Sequence, residues 1–298
     1  MIRQRKNKLL VTGASGFLGQ AVVARAAAWE LEAIAVSREI FHTGNATGLA
    51  AFLDNTRPDY AIDAAGVLPG VGDVTDNLVL TETWITALGL AGAWPRLVLT
   101  GSAAIYGHGA AQTRATREDD PKKPTSDYGR AKLAAMELGQ RAHTRDGHDI
   151  QTGIVFNLIG AGQPAHLAPE VFIRKARAAR GGSFEVGPVN HVRDFMHVED
   201  AADALIAMAL HGAPGEALNV ATGRPTRIRD LLDRIAEALG ASWVSRDPSD
   251  AEEGVDICYG DPAHLMARTG WQPRHDLETA LERAMQTTQP HRKASTTI

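Results

Sequence analysis

The 298-residue chain is poor in three things, and each absence removes a class of protein. It has one cysteine, Cys258. A single thiol closes no internal disulfide and fits a reducing compartment. It has no apolar run approaching the roughly 18 residues that a membrane helix needs. Leu9-Leu10-Val11, after the basic stretch at 1–8, is shorter than the apolar core of a signal peptide. Charge of one sign is also lacking: 31 Lys and Arg against 35 Asp and Glu give a net charge of −4. That balance excludes the broad basic surface of a nucleic-acid binder. Internal repeats and low-complexity blocks are missing too. What is there, 44% hydrophobic and 22% charged residues, is the composition of a soluble globular protein. No membrane or nucleic-acid partner is expected, and the expected compartment is the cytoplasm. The length suffices for one large core or two modest domains.

Strand-like and helix-like segments alternate through the first half. Strands are expected at 8–11, 33–36, 60–65, 96–100 and 151–156. Helical patterns fall at 16–29, 49–55, 75–90 and 126–145. This alternation predicts an α/β fold of the Rossmann type: a doubly wound parallel sheet with helices on both faces. The second half is less regular. It holds a loop at 160–169, helices at 170–180, 201–211, 228–239 and 277–285, and a short strand at 217–220. The helix at 228–239 puts Ile228, Leu231, Leu232, Ile235 and Leu239 on one face. The expected division is a dinucleotide-binding domain over 1–158, to which 191–222 returns. A smaller C-terminal substrate-binding lobe is built from 159–190 and 223–286, and 287–298 forms a flexible tail.

Chemistry enters at Thr12-Gly13-Ala14-Ser15-Gly16-Phe17-Leu18-Gly19. Gly13 permits a tight turn, Gly16 lets backbone approach a pyrophosphate, and Gly19 lets helix and strand pack closely. With a strand before it and a helix after it, this turn reads as a dinucleotide site. Its expected contacts are Gly13, Ser15, Gly16, Phe17, Leu18 and Gly19. The second strand ends in Val36-Ser37-Arg38-Glu39. Arg38, with Ser37, suits the 2′-phosphate of NADP, while Glu39 is the acidic group that would suit NAD. The reading prefers NADP(H), with NAD(H) as the alternative.

Tyr128 and Lys132 stand four apart and share one helix face. An ammonium held beside a phenol favours the phenolate, so such a tyrosine exchanges a proton with an alcohol or carbonyl oxygen. Ser102, upstream in Thr100-Gly101-Ser102, offers a hydroxyl to orient the same oxygen. His191, His197, Glu199 and Asp200 cluster around Arg193, but no HExxH or regular Cys/His spacing accompanies them, and no metal is expected. Asp194 is expected to anchor its loop. His197, Glu199 and Asp200 are expected to begin the following helix. The basic run Arg174–Arg180 reads as a solvated helix face.

Taken in order, several segments resemble an extended short-chain dehydrogenase/reductase of the nucleotide-sugar epimerase/dehydratase/reductase type. They are Thr12–Gly19, Ser102, Tyr128-x-x-x-Lys132, Phe156-Asn157, Arg193–Asp200, Asn219–Gly223 and Gly270–Pro273. The resemblance implies that Ser102, Tyr128 and Lys132 carry the proton chemistry. Lys132 would also bond the nicotinamide ribose. Asn157 would contact the substrate sugar or phosphate, and Arg193 would neutralise a nucleotide diphosphate. Ala64, Ala65 and Gly66 would form the small surface on which the cofactor lies. It further implies a homodimer through the lysine-bearing helix, where Ala131, Leu133, Ala134, Ala135 and Leu138 allow close approach.

Two departures matter. Related 4,6-dehydratases carry an Asp-Glu pair where this chain has Ala103 and Ala104, and alanine supplies neither acid nor base for eliminating water. Ile154 stands where the family often has an Arg. The expected activity is NADPH-dependent reduction of a nucleotide-linked 4-keto-6-deoxysugar. The alternative is an NAD-dependent nucleotide-sugar 4-epimerase. A non-catalytic NADP-binding regulator is disfavoured by the intact Ser102, Tyr128 and Lys132.

Overall fold

The computed structural model describes residues 6–108, 113–246 and 256–286. The tail expected at 287–298 and most of the basic stretch at 1–8 lie outside the described residues. The chain opens with β1 (Lys8–Thr12), α1 (Phe17–Ala26), β2 (Glu32–Ala35), α2 (Ala46–Thr56), β3 (Tyr60–Asp63), α3 (Asp76–Leu90) and β4 (Arg96–Ser102). It continues through α4 (Asp127–Asp146), β5 (Ile150–Val155), β6 (Asn157–Ile159), α5 (Ala168–Ala178), β7 (Ser183–Val186), β8 (Val192–His197), α6 (Val198–His211) and β9 (Ala217–Val220). The final part is β10 (Pro225–Arg227), α7 (Ile228–Leu239), β11 (Ser242–Ser245), β12 (Ile257–Cys258), α8 (Ala263–Thr269) and α9 (Leu277–Gln286).

Six strands form a parallel sheet in the order β2-β1-β3-β4-β5-β9. Its central strands are apolar runs without alternation because both faces are covered. Leu9, Val11, Ile62 and Val98 pack with α1 and α6. Leu10, Ala61, Leu97 and Leu99 face the other way, against Leu49 and Leu53 of α2 and Leu80, Trp84 and Leu88 of α3. Alanines fill much of α6, where Ala201, Ala202, Ala204, Ala207 and Ala209 are fully buried against the sheet layer.

The second half holds more strand than its sequence pattern indicates. β6 and β12 each pair with β8 in parallel, and β10 pairs with it antiparallel. β7 and β11 pair in parallel, from Ser183↔Ser242 to Val186↔Ser245. These strands are short and pair with segments far away in sequence, so no local period marks them. β8 reads Val-Arg-Asp-Phe-Met-His and buries Asp194 and His197 by bonding them rather than by turning them outward. A separate apolar cluster, with Ile173, Phe184, Leu231, Leu232, Ile235 and Leu281 buried, holds this lobe together.

Candidate active site

β2 and β3 lie on opposite sides of β1, so the loops after β1 and β3 part at the carboxyl edge of the sheet and leave a crevice between them. Gly13 shapes it. Its φ is +65°, and a Cβ there would fall 2.5 Å from the Ala64 carbonyl carbon and the Ala65 nitrogen. Only a glycine lets the two loops touch this way. At Gly19 a Cβ would lie 2.1 Å from the Gly13 carbonyl oxygen, which seats α1 directly on the turn. Gly16 N donates back to Gly13 O at 2.9 Å and caps α1 with no side chain over the first helical amides. Ser15 and Gly16 are exposed on this turn, Phe17 and Leu18 half-buried behind it. The helix end thus presents free N–H groups and positive dipole to the crevice. Ser37 and Arg38 are both exposed just beyond β2. Ala64 and Ala65 are half-buried and Gly66 is exposed at the end of β3.

Two side chains unmarked in the sequence brace this wall. Asp63, 5% exposed, accepts from Thr12 Oγ1 at 2.6 Å and from Ala65 N at 3.1 Å. Burial pushes its carboxyl above the usual range, opposed by the Thr12 bond and the charge of Lys132. Asn77, buried on α3, accepts from Val67 N at 3.1 Å and donates to Val67 O at 2.8 Å, which pins the loop after Gly66.

α4 carries Tyr128 and Lys132. Ser126 caps it, its hydroxyl accepting from Gly129 N at 3.1 Å. Tyr128 follows in the first turn, half-buried, and Lys132 one turn later is buried. Lys132 Nζ donates to the Thr100 carbonyl at 2.9 Å, two residues before Ser102 on β4. Ser102 Oγ accepts from Ala104 N at 3.2 Å and caps the single helical turn Ala103–Tyr106. A Cβ at Gly129 would lie 2.5 Å from Ala104 O, so α4 packs tightly on that turn. These contacts bring Ser102, Tyr128 and Lys132 onto adjoining surfaces. Tyr106, by contrast, is buried and donates to Asn219 Oδ1 at 2.8 Å; burial drives its phenol upward, and it serves the core.

The strands β6 and β8 form the far side. Asn157 is exposed at the start of β6 and donates through Nδ2 to Asp194 O at 2.9 Å. Arg193 Nη1 donates to Val192 O at 2.9 Å and Asp256 O at 2.8 Å, and Nη2 donates to Asp256 Oδ2 at 2.6 Å. Asp194 anchors more than its own segment. Fully buried in β8, it accepts from Thr222 N at 3.0 Å, Thr222 Oγ1 at 2.7 Å and Gly223 N at 2.9 Å. It therefore ties β8 to the loop after β9. Burial pushes its pKa up to about 6 against the pull of those bonds.

The histidines sort differently from their order in sequence. His191 Nδ1 accepts from Asp256 N at 3.2 Å, away from His197. His197 caps α6, with Nδ1 accepting from Glu199 N at 3.2 Å, and Glu199 and Asp200 lie in the helix's first turn. The partner that joins them is His275, whose ring centroid stands 4.3 Å from that of His197. His197, Glu199 and His275 bring ligating atoms within 4.8 Å of one another. Arg283 donates to Glu199 at 3.1 Å, and His275 Nδ1 bonds Asp200 at 2.9 Å. Since His197 Nδ1 accepts from a backbone N–H, a neutral ring carries its proton on Nε2, which leaves no lone pair there for an ion. Desolvation and the neighbouring His275 lower the His197 pKa to about 4.

Comparison with known proteins adds to this geometry. Residues 9–221 match the model of the NAD dependent epimerase/dehydratase family. The chain is 30% identical to dTDP-6-deoxy-L-talose 4-dehydrogenase (NAD(P)(+)) of Kitasatospora kifunensis, over 92% of this chain and 93% of that protein. It is 26% identical to GDP-6-deoxy-D-mannose reductase of Pseudomonas aeruginosa, over 92% of this chain and 94% of that protein. The structure of RMD from Pseudomonas aeruginosa complexed with NADPH superposes with a TM-score of 0.81 at 25% identity, covering 94% of this chain and 98% of that one.

Proposed function

The chain belongs to the NAD dependent epimerase/dehydratase family, and from that premise we propose that it reduces a nucleotide-linked 4-keto-6-deoxysugar with NADPH. The observation that carries this reading is the buried Lys132. Its ammonium is fixed on the Thr100 carbonyl at 2.9 Å, between the strand that ends in Ser102 and the helix that presents Tyr128. The names of the relatives support the substrate class: one acts on a dTDP-linked 6-deoxysugar as a 4-dehydrogenase, the other on a GDP-linked 6-deoxysugar as a reductase.

The crevice fits a dinucleotide on its own geometry. Side chains at Gly13 or Gly19 would strike the backbone that shapes it, and the first amides of α1 stand uncapped by any side chain among the described residues. Gly13, Ser15, Gly16, Phe17, Leu18 and Gly19 hold the pyrophosphate end. Ser37 and Arg38 take the adenosine end, where a guanidinium favours NADP over NAD. Ala64, Ala65 and Gly66 wall the cleft, with Tyr128 and Lys132 at the nicotinamide ribose. When bound, the reduced cofactor supplies the hydride that goes to the ketone carbon. Tyr128 gives a proton to the oxygen as negative charge develops on it. Lys132 stabilises the phenolate left behind. The Ser102 oxygen accepts from Ala104 N, which leaves its hydroxyl proton to donate to the same substrate oxygen. Donors fixed in advance act most on the charged transition state. Asn157 and Arg193 bind the sugar and diphosphate end. Ala103 and Ala104 on the turn after Ser102 offer no acid or base for dehydration.

A homodimer belongs to the same reading. On α4, Ala131 and Ala135 are buried within the chain, whereas Leu133, Ala134 and Leu138 stay half-exposed for a second copy. The competing activity, 4-epimerisation, uses the same groups to oxidise C4 and reduce its other face. Coenzyme demand separates the two. A stoichiometric requirement for NADPH and a keto-sugar supports the reductase. Interconversion of UDP-glucose and UDP-galactose without added coenzyme would show that reading to be wrong.

A further inference from the structure

Arg193 already has a counter-ion. Its Nη2 meets Asp256 Oδ2 at 2.6 Å, and Nη1 is taken by the carbonyls of Val192 and Asp256. The pair sits at a surface, with 26% of the Arg193 side chain and 13% of the Asp256 side chain exposed. Asp256 also approaches His108 Nδ1 at 3.3 Å. His108 follows the turn that Ser102 caps, so Asp256 links the chain just after that turn to Arg193. Its second oxygen, Oδ1, is buried and has no hydrogen-bond partner among the described residues. An unmet buried acceptor is destabilising. The carboxylate is therefore bonded to Arg193 yet poorly housed there, and its release to water recovers that cost.

We propose that Asp256 is a specificity-determining residue: it is the resident partner of Arg193, and a substrate's diphosphate binds by taking its place. The proposal rests on the nucleotide-sugar reading above. A planar guanidinium accepts a carboxylate or a phosphate in the same fork, and two anions held there together repel. Exchange favours a ligand with charge spread over two phosphates. A single phosphate gains less from Arg193 and displaces Asp256 poorly, so the latch selects nucleoside diphosphates over monophosphates.

Asp256→Asn keeps the shape and removes the charge. By isothermal titration, the variant is expected to bind UDP, GDP or dTDP about tenfold more tightly than wild type, at unchanged NADPH affinity. The matching monophosphates tighten as well, so the preference for diphosphate narrows. Arg193→Gln in the Asp256→Asn background cancels the gain. The proposal is overturned if Asp256→Asn binds the diphosphates no more tightly than wild type, or if the gain survives Arg193→Gln. Damage to the fold would not raise affinity; if Asp256→Asn fails to fold, Asp256→Ser gives the same readout. Failure of the parent reading looks different: wild-type enzyme with NADPH then turns over no nucleotide-linked keto-sugar, whatever the diphosphate titrations give.

Discussion

In the six-stranded sheet, Leu9, Leu10 and Val11 are buried among apolar neighbours on both faces, whereas from β8 onward buried carboxylates add ties between distant segments. Asp194 ties β8 to Thr222 and Gly223. Asp200, on α6, holds the backbone of Arg274 and His275 at 3.1 and 2.9 Å. Asp203 takes Arg25 in two parallel bonds of 2.9 Å and Trp29 Nε1 at 2.7 Å, fastening α6 to α1. Apolar contact is non-directional and sets layers. A carboxylate with several N–H donors fixes particular atoms. The sheet is thus layered mainly by apolar packing, with Asp63 bracing the end of β3, while the segments from β8 onward are placed by carboxylate bonds as well.

The largest expected effect tests the chemistry that lies between the halves. Tyr128→Phe should lower turnover about a thousandfold, within the range for a positioned proton donor, and leave NADPH affinity intact. Loss of affinity in parallel with turnover would mean that the tyrosine serves binding instead. Next in size is Gly19→Ala. Its Cβ would meet the Gly13 carbonyl oxygen at 2.1 Å, and a cost of about 3 kcal/mol with loss of coenzyme binding is expected in thermal and titration measurements. An unchanged melting temperature would show that the turn moves freely and that close packing does not define the crevice.

The acid ties come after. Asp200→Ala leaves the amides of Arg274 and His275 and the His275 ring without their acceptor, at a cost of about 2–3 kcal/mol by urea unfolding. A change under 0.5 kcal/mol would erase the distinction drawn between the halves. The smallest effect is one of slope. His197, held down to about 4, favours the fold when neutral; its contribution is full above the ordinary pKa of 6.5 and is lost as pH falls toward 4. Asp194, raised to about 6 from 3.8, works in reverse: its contribution is full below 3.8 and is lost as pH rises through 6. Between pH 4 and 6 the two oppose. His197→Asn keeps an N-cap acceptor and removes one titration, so stability of the variant should rise, by about 2 kcal/mol relative to wild type, as pH falls from 6 to 4. Parallel pH profiles would contradict it.

The same contrast explains what the sequence disclosed. The turn at Thr12–Gly19 and the Tyr128–Lys132 spacing are local, since each depends on residues within a helical turn or two of itself. So are the apolar runs of β1, β3, β4 and β5 and the one-sided face of α7, and all of these were legible. Arg193, Asp194 and His197 show as polar letters in β8 whose partners, Asp256, Thr222 and His275, lie far along the chain. No period reveals such pairings. Asp63 went unmarked for the same reason, its partner Thr12 lying on another strand; Asn77 went unmarked because an amide that braces a nearby loop leaves no period in the sequence. β7 and β11, two strands of four residues, become strands only by meeting each other.

The central claim is that hydride reaches a sugar carbon while Tyr128 protonates its oxygen. Reduction of dTDP- or GDP-linked 4-keto-6-deoxysugars with NADPH carrying deuterium at the transferable position tests it most directly. One equivalent of NADPH consumed for each deuterium found at C4 of the product is the predicted result. Sugar conversion with no NADPH consumed and no deuterium at C4 would contradict the account.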